Sequence, residues 1–140
     1  MACGTGSRHD EKKQTPPQII GTWRLISGTI IDKGDTTVTM YANNRSFIKI
    51  INETHFAFFD HDLKKGKDSA VFVAGGGAYS LRDSLYTELL EYCNAREWEG
   101  NDFPFTVTLK GDTLTQSGIE KIEAAGVNRI NLEKYVRLQK

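Results

Sequence analysis

The run Gly21-Thr22-Trp23-Arg24-Leu25-Ile26-Ser27-Gly28-Thr29-Ile30-Ile31 has a period of two. Trp23, Leu25, Ser27, Thr29 and Ile31 fall on one face, and Thr22, Arg24, Ile26, Gly28 and Ile30 on the other, the alternation expected of a pleated strand. Outward from this strand the same punctuation recurs. Lys33-Gly34-Asp35 reads as a turn, Thr36 to Tyr41 as a second strand and Asn43-Asn44 as another turn. Ser46 to Asn52 forms a third strand and His55 to Asp60 a fourth, dense in phenylalanine. Lys64-Lys65-Gly66-Lys67-Asp68 is too charged to bury and suits the end of a hairpin.

Gly75-Gly76-Gly77 enters the next strand, which runs on through Tyr79 and Leu81, turns at Arg82-Asp83-Ser84 and returns from Tyr86 to Tyr92. Glycine weakens a strand because it costs entropy and packs nothing, so three together predict a bulge or a sharp bend of the kind a closing barrel needs. A phosphate cradle does not fit, since no Lys-Ser/Thr follows and no helix opens behind the glycines. Asn94 to Asp102 reads as a loop with one helical turn near Ala95 to Trp98. Phe103 to Lys110 and Thr113 to Ser117 pair as a hairpin through Gly111-Asp112, with Phe103, Phe105, Val107 and Leu109 on one face. Glu120 to Asn128 reads as a connector that could form a short helix, and Ile130 to Leu138 as the last strand.

No segment carries a long amphipathic helical stripe. About eight to ten antiparallel strands with short links, in a chain of 140 residues, predict an all-β fold: a single up-and-down barrel, because closure removes the exposed edges a sandwich would leave. The chain suffices for one core and is short for two. We divide it into a polar tether, 1–18, stiffened by Pro16-Pro17, and a barrel domain, 19–140.

Lysine plus arginine number 18 and so do aspartate plus glutamate, leaving no broad field to attract nucleic acid or anionic lipid. The apolar runs are of strand length, and none approaches the ~20 residues of a membrane-spanning helix. With two cysteines, Cys3 and Cys93, neither a disulfide framework nor a zinc site is indicated. Cys93 reads as a small buried hydrophobe.

Gly21-Thr22-Trp23 near the first strand's start, answered by Arg137 near the last strand's end, resembles the lipocalin and wider calycin superfamily. There the indole lies across one end of the barrel and the arginine packs over it. The resemblance implies a lipocalin-like barrel with a cavity, and gives Gly21, Trp23 and Arg137 the structural role of closing it. Thr54-His55-Phe56, Gly75-Gly76-Gly77 with Tyr79, Tyr86-Thr87-Glu88 with Glu91-Tyr92, the Trp98 and Gly100 loop, and Gly111 to Gly118 are similar to lipocalin-like domains of Bacteroides-type bacteria. The chain departs from that group in having Leu89-Leu90 where a histidine is usual, and no tryptophan beside Tyr135. Ala2-Cys3-Gly4, ahead of a charged tether, resembles the mature start of a bacterial lipoprotein, with Met1 in place of a longer leader. That likeness implies lipidation at Cys3 and a lipid-anchored place in the bacterial cell envelope, periplasm or outer membrane, against a cytoplasmic alternative.

The candidate ligand-binding residues are Tyr79, Glu88, Tyr92, Phe56, Phe58, Phe105 and Gln116. Tyr86, Glu88 and Tyr92 share one face of a strand while Glu91 faces the other way, so one carboxylate points into the lumen and requires a partner there. Arg82, a tyrosine hydroxyl or Gln116 could supply it. A polar anchor in an apolar cup is the usual make-up of a small-molecule pocket, and solvated or cross-strand paired glutamates are the alternative. Phe47, Phe56, Phe58, Phe59, Phe103 and Phe105 offer a lining, of which alternation admits about half.

His55 and His61 share a strand face but lie ~20 Å apart by strand rise, too far for one ion, so no metal is expected. No cofactor is expected either. The chain has no Gly-x-Ser-x-Gly elbow and no cysteine–histidine pair outside the tail, so we expect a non-catalytic binding protein for a small hydrophobic or amphipathic molecule. Two other readings stand beside it: a filled barrel whose Trp98 loop docks on a partner protein, and an isomerase or hydratase using Glu88.

Overall fold

A computed structural model describes residues 18–41 and 44–139. The tether, with Cys3, and the Asn43 half of the expected turn lie outside these residues. The strands are β1 (Gly21–Asp32), β2 (Asp35–Met40), β3 (Arg45–Ile51), β4 (His55–Asp62), β5 (Phe72–Arg82), β6 (Leu85–Leu90), β7 (Tyr92–Cys93), β8 (Asn101–Lys110), β9 (Thr113–Ile122) and β10 (Val127–Arg137). All pairings are antiparallel, in the order β2-β1-β3-β4-β5-β6-β8-β9-β10 with β7 on β5, and β10 pairs back on β1, so the sheet closes. β2 and β3 lie along the two halves of β1 and make one interrupted barrel strand. β6 and β7 do the same along β5, which gives a barrel of eight staves.

Two bulges set which side chains face inward. Leu25 pairs with Tyr135 but Ser27 with Lys134, so one extra residue enters β1 at Ile26 and reverses the alternation beyond it. Trp23 and Leu25 therefore share the interior with Gly28 and Ile30, not with Ser27, Thr29 and Ile31 as the period of two suggested. The second bulge sits in the Leu89 to Glu91 segment, where Tyr79 pairs with Glu88 but Gly76 with Tyr92. The Glu91 amide donates to Gly76 O (3.0 Å) and its carboxylate accepts from the Ala78 amide (2.9 Å). This is why glycine is required at 77: a Cβ there would collide with the carbonyl oxygen of Leu89. The expected bulge at the glycines is present, and it turns Tyr92 outward and Cys93 inward.

The remaining differences from expectation are local. The connector over 120–128 is mostly strand: β9 runs to Ile122, one 3-10 turn spans Glu123–Ala125, and Gly126, at φ 67°, opens β10. The loop before β8 carries the expected single turn as a 3-10 helix over Arg96–Trp98. Five of the six phenylalanines considered for the lining face inward, and Phe59, 41% exposed, lies outside. Alternation within β4 separates Phe58 from Phe59 but leaves the others free to fall on interior positions.

One end of the barrel is packed shut. Trp23 is fully buried and its indole Nε1 donates to Ile19 O at 2.8 Å. Arg137 pairs in register with Trp23, and its guanidinium carbon stands 4.2 Å from the ring centroid. The guanidinium donates to Ile20 O (2.8 Å) and Gln18 O (2.6 Å), tying the entering chain to the last strand. A side chain at Gly21 would meet Arg137 Nη1 at 2.6 Å, which accounts for the glycine two residues before the tryptophan. Ile51, Phe56, Tyr86, Phe105, Leu114 and Tyr135 complete this core.

Candidate functional site

The other half of the barrel is not filled. A cavity of about 330 Å³ lies inside it, walled by Leu25, Ile30, Tyr41, Phe47, Phe58, Leu90, Trp98 and Phe103 among others. Phe47 and Phe58 stack with ring centroids 5.8 Å apart, and Tyr41 meets Phe47 edge-on at the same distance. Trp98, half-buried, packs on Phe103 (5.7 Å) as part of the wall, with the Arg129 guanidinium 5.1 Å from its ring. The Trp98 loop is thus a side of the cavity rather than a projecting anchor.

The polar residues of the cavity come from alternate positions of β3, β6, β9 and β10. Lys49 is 2% exposed, and its ammonium donates to Glu88 Oε2 (2.7 Å) and Gln116 Oε1 (3.0 Å). Three rings surround that ammonium: Tyr135 at 5.0 Å, Tyr86 at 5.7 Å and Phe56 at 6.0 Å. Tyr86 Oη donates to the same Glu88 oxygen at 2.9 Å, and burial beside that carboxylate pushes its hydroxyl far above the usual range. Gln116 has no exposure, and its Nε2 lacks a hydrogen-bond partner. Glu88 takes its hydrogen bonds from Tyr86, a tyrosine hydroxyl as expected, and from Lys49, which was not; Gln116 shares that lysine but does not bond Glu88 and lies below the cavity lining.

A second polar chain runs along β9 and β10. Arg129 Nε donates to Glu120 Oε1 at 2.9 Å. Asn131 Nδ2 donates both to Glu120 Oε2 (3.2 Å) and to Glu133 Oε1 (3.0 Å), and Tyr135 Oη donates to Glu133 Oε2 (2.5 Å). Glu133 is partly buried and lines the cavity. Burial pushes the Glu133 carboxyl above its ordinary value of 4.5; Lys49 and the Tyr135 hydroxyl pull it back only in part. The Tyr135 hydroxyl is raised well above its ordinary value by burial and by the Glu133 carboxylate.

The other residues singled out from sequence lie elsewhere. Phe58 lines the cavity, while Phe56 and Phe105 sit in the packed core below it. Tyr79 belongs to the closed end, its ring 5.4 Å from Tyr86 and its hydroxyl donating to Asn52 O at 2.7 Å. Tyr92 is 68% exposed on the outer wall, in a shallow groove with His55, Phe59 and the three glycines. Among the described residues no three His, Cys, Asp or Glu side chains converge as metal ligands. Lys49, Glu120, Arg129, Asn131 and Glu133 were not among the site residues expected from sequence. The signal existed: with Tyr135 and Arg137 inward, a period of two places Glu133, Asn131 and Arg129 inward as well.

No protein-family model, curated protein or solved structure matches this chain. The geometry of the barrel therefore carries the functional argument by itself.

Proposed function

We propose that the protein is a non-catalytic carrier or sensor that holds one small, largely apolar molecule in the open half of its barrel. The observation that supports this most directly is a cavity of about 330 Å³ with aromatic walls and a few convergent polar groups, at the lower end of the range for ligand pockets. A calycin-type origin fits the Trp23–Arg137 closure and the eight staves. Attachment to a bacterial envelope through a lipid on Cys3 is the companion proposal, testable by fatty-acid labelling of the native protein with and without Cys3→Ser; no label in either form would reject it.

Binding is tested with the neutral fluorophore N-phenyl-1-naphthylamine. Saturable one-to-one binding is expected, and Ala95→Trp, which narrows the cavity from the Ala95–Trp98 loop, should weaken it at least tenfold, by an estimate of about 1.4 kcal/mol. Binding that is absent, or that Ala95→Trp leaves unchanged, would show that the fluorophore does not enter the lumen.

A further inference from the structure

The charged groups lining the cavity do not balance. Two cations, Lys49 and Arg129, face three carboxyl groups, Glu88, Glu120 and Glu133. Lys49 is matched to Glu88 and Arg129 to Glu120. Glu133 is the one left over: its hydrogen bonds come from Asn131 and Tyr135, both neutral. Among the described residues no cationic nitrogen lies within 4.0 Å of it. A partly buried carboxyl that lines the cavity and is held by two neutral donors is an acceptor waiting for a positive partner.

We propose that the cavity selects an organic cation, a primary or secondary amine on a compact aromatic or alicyclic body, with its ammonium seated against Glu133. This rests on the reading of the cavity as a ligand site. The walls suit such a molecule. Tyr41, Phe47, Phe58, Phe103 and Trp98 line the space with aromatic rings that suit a flat body or a cation. The volume equals the share of roughly eleven water molecules, which admits a ligand of about ten to seventeen non-hydrogen atoms. An anionic ligand meets the opposite situation, since it would enter beside three carboxyls and compete with Glu88 for Lys49.

Burial raises the Glu133 carboxyl, so where it carries a proton in the empty barrel the arriving ammonium keeps its own protons and the carboxyl releases one to solvent. Alternatively a neutral amine takes that proton directly and becomes the ammonium. The groups facing Glu133 are Lys49 from β3, Glu88 from β6, Glu120 from β9, Tyr41 after β2, Tyr86 from β6, and Asn131 and Tyr135 from β10. The first three are held in ion pairs, Lys49 with Glu88 and Glu120 with Arg129.

Calorimetric titration of the full chain with 2-(1-naphthyl)ethylamine, 2-(1-naphthyl)ethanol and 3-(1-naphthyl)propionate decides the matter. The amine should bind about tenfold or more tightly than the alcohol, and the acid most weakly. Repeating the amine titration over pH 5–7 in buffers of different ionisation enthalpy should reveal proton release that grows as the pH falls. Glu133→Gln should erase the amine's advantage over the alcohol. Equal binding of amine and alcohol, or tightest binding of the acid, overturns the amine assignment and leaves the ligand-carrying reading in place. If none of the three binds, both readings fall. The ranking in the unmodified protein decides without the variant, should Glu133→Gln not fold.

Discussion

Lys49→Met should be among the most damaging single changes in the chain, and its cost follows from the charge it strands. The ammonium is 2% exposed and lies 2.7 Å from Glu88 Oε2. At an effective dielectric near 20 the attraction at that distance is about 6 kcal/mol, most of it offset by stripping water from both ions. The net value of the pair is therefore small, but removing one partner leaves the other buried and uncompensated, at a cost of about 3–5 kcal/mol. Gln116 Oε1 also loses its donor, in a side chain whose Nε2 is already unpartnered. At about 4 °C per kcal/mol for a domain of this size, the melting temperature should fall by roughly 12–20 °C. Adding Glu88→Gln to Lys49→Met removes the stranded charge while keeping an acceptor for Tyr86. The double variant should recover at least about 2 kcal/mol of the loss. Urea unfolding followed by tryptophan fluorescence measures all three proteins. Additive costs, or a Lys49→Met loss below about 1 kcal/mol, would refute the stranded-charge argument.

Gly77→Ala should destabilise by about 3 kcal/mol or more, since its Cβ would strike the Leu89 carbonyl, whereas Gly34→Ala, with open space around it and φ at 82°, should cost only about 1 kcal/mol; equal costs in urea unfolding would count against the bulge. Arg137→Ala should cost about 2–3 kcal/mol through the lost indole contact and two carbonyl hydrogen bonds, yet leave naphthylamine affinity within about twofold, because it lies at the closed end. The raised carboxyl of Glu133 means that the folded state holds a proton the unfolded state has released; its contribution is complete below pH 4.5 and is lost as pH rises through the folded value. Glu133→Gln lacks that loss, so its stability relative to the unmodified protein should improve from pH 4 to pH 8, and a constant difference in denaturation midpoints would refute it. In a Cys3→Ser background, bound N-phenyl-1-naphthylamine should slow alkylation of Cys93, whose side chain lines the cavity; unchanged alkylation kinetics would place the fluorophore elsewhere.

The barrel itself was legible because closure leaves marks in local sequence. Trp23 and Arg137 make contact across 113 residues of intervening chain, as the resemblance of the two ends implied, and the glycine run marked the place where the partner strand bulges at Leu89 to Glu91. What sequence obscured was the consequence of those bulges. A single extra residue inverts every later side chain on that strand, so the correct recognition of a bulge near Gly77 still left Tyr92 assigned to the wrong face. The bulge at Ile26 left no such trace, because no glycine in β1 marks the extra residue itself. The polar interior was hidden for another reason. Lys49, Glu133 and Arg129 read as solvent-facing on hydrophobicity alone, and only the inward position of their i±2 neighbours Ile51, Tyr135 and Asn131 reveals them.

Those residues give the barrel two ends with different duties. At the closed end, Trp23, Leu114, Phe105 and Tyr135 are packed to exclusion and the arginine seals the rim, so stability is concentrated there. Lys49 and its carboxylate partner form the floor between that core and the cavity, where their charges are fixed by rings and hydrogen bonds rather than by water. Above the floor an empty space costs packing energy that a solid barrel would recover, and the walls nonetheless leave it open. A ligand that fills the space would restore those contacts, and one that brings a positive charge would also pair with Glu133, the cavity carboxyl that has no ion-pair partner among the described residues. The coupling runs both ways: a molecule that binds the folded barrel alone must raise its melting temperature, by about 2.7 kcal/mol of added stability at a hundredfold excess over Kd. A naphthylethylamine that bound tightly yet left the thermal transition unmoved would be on the surface, and the outer groove beside Tyr92 is where it would then be sought.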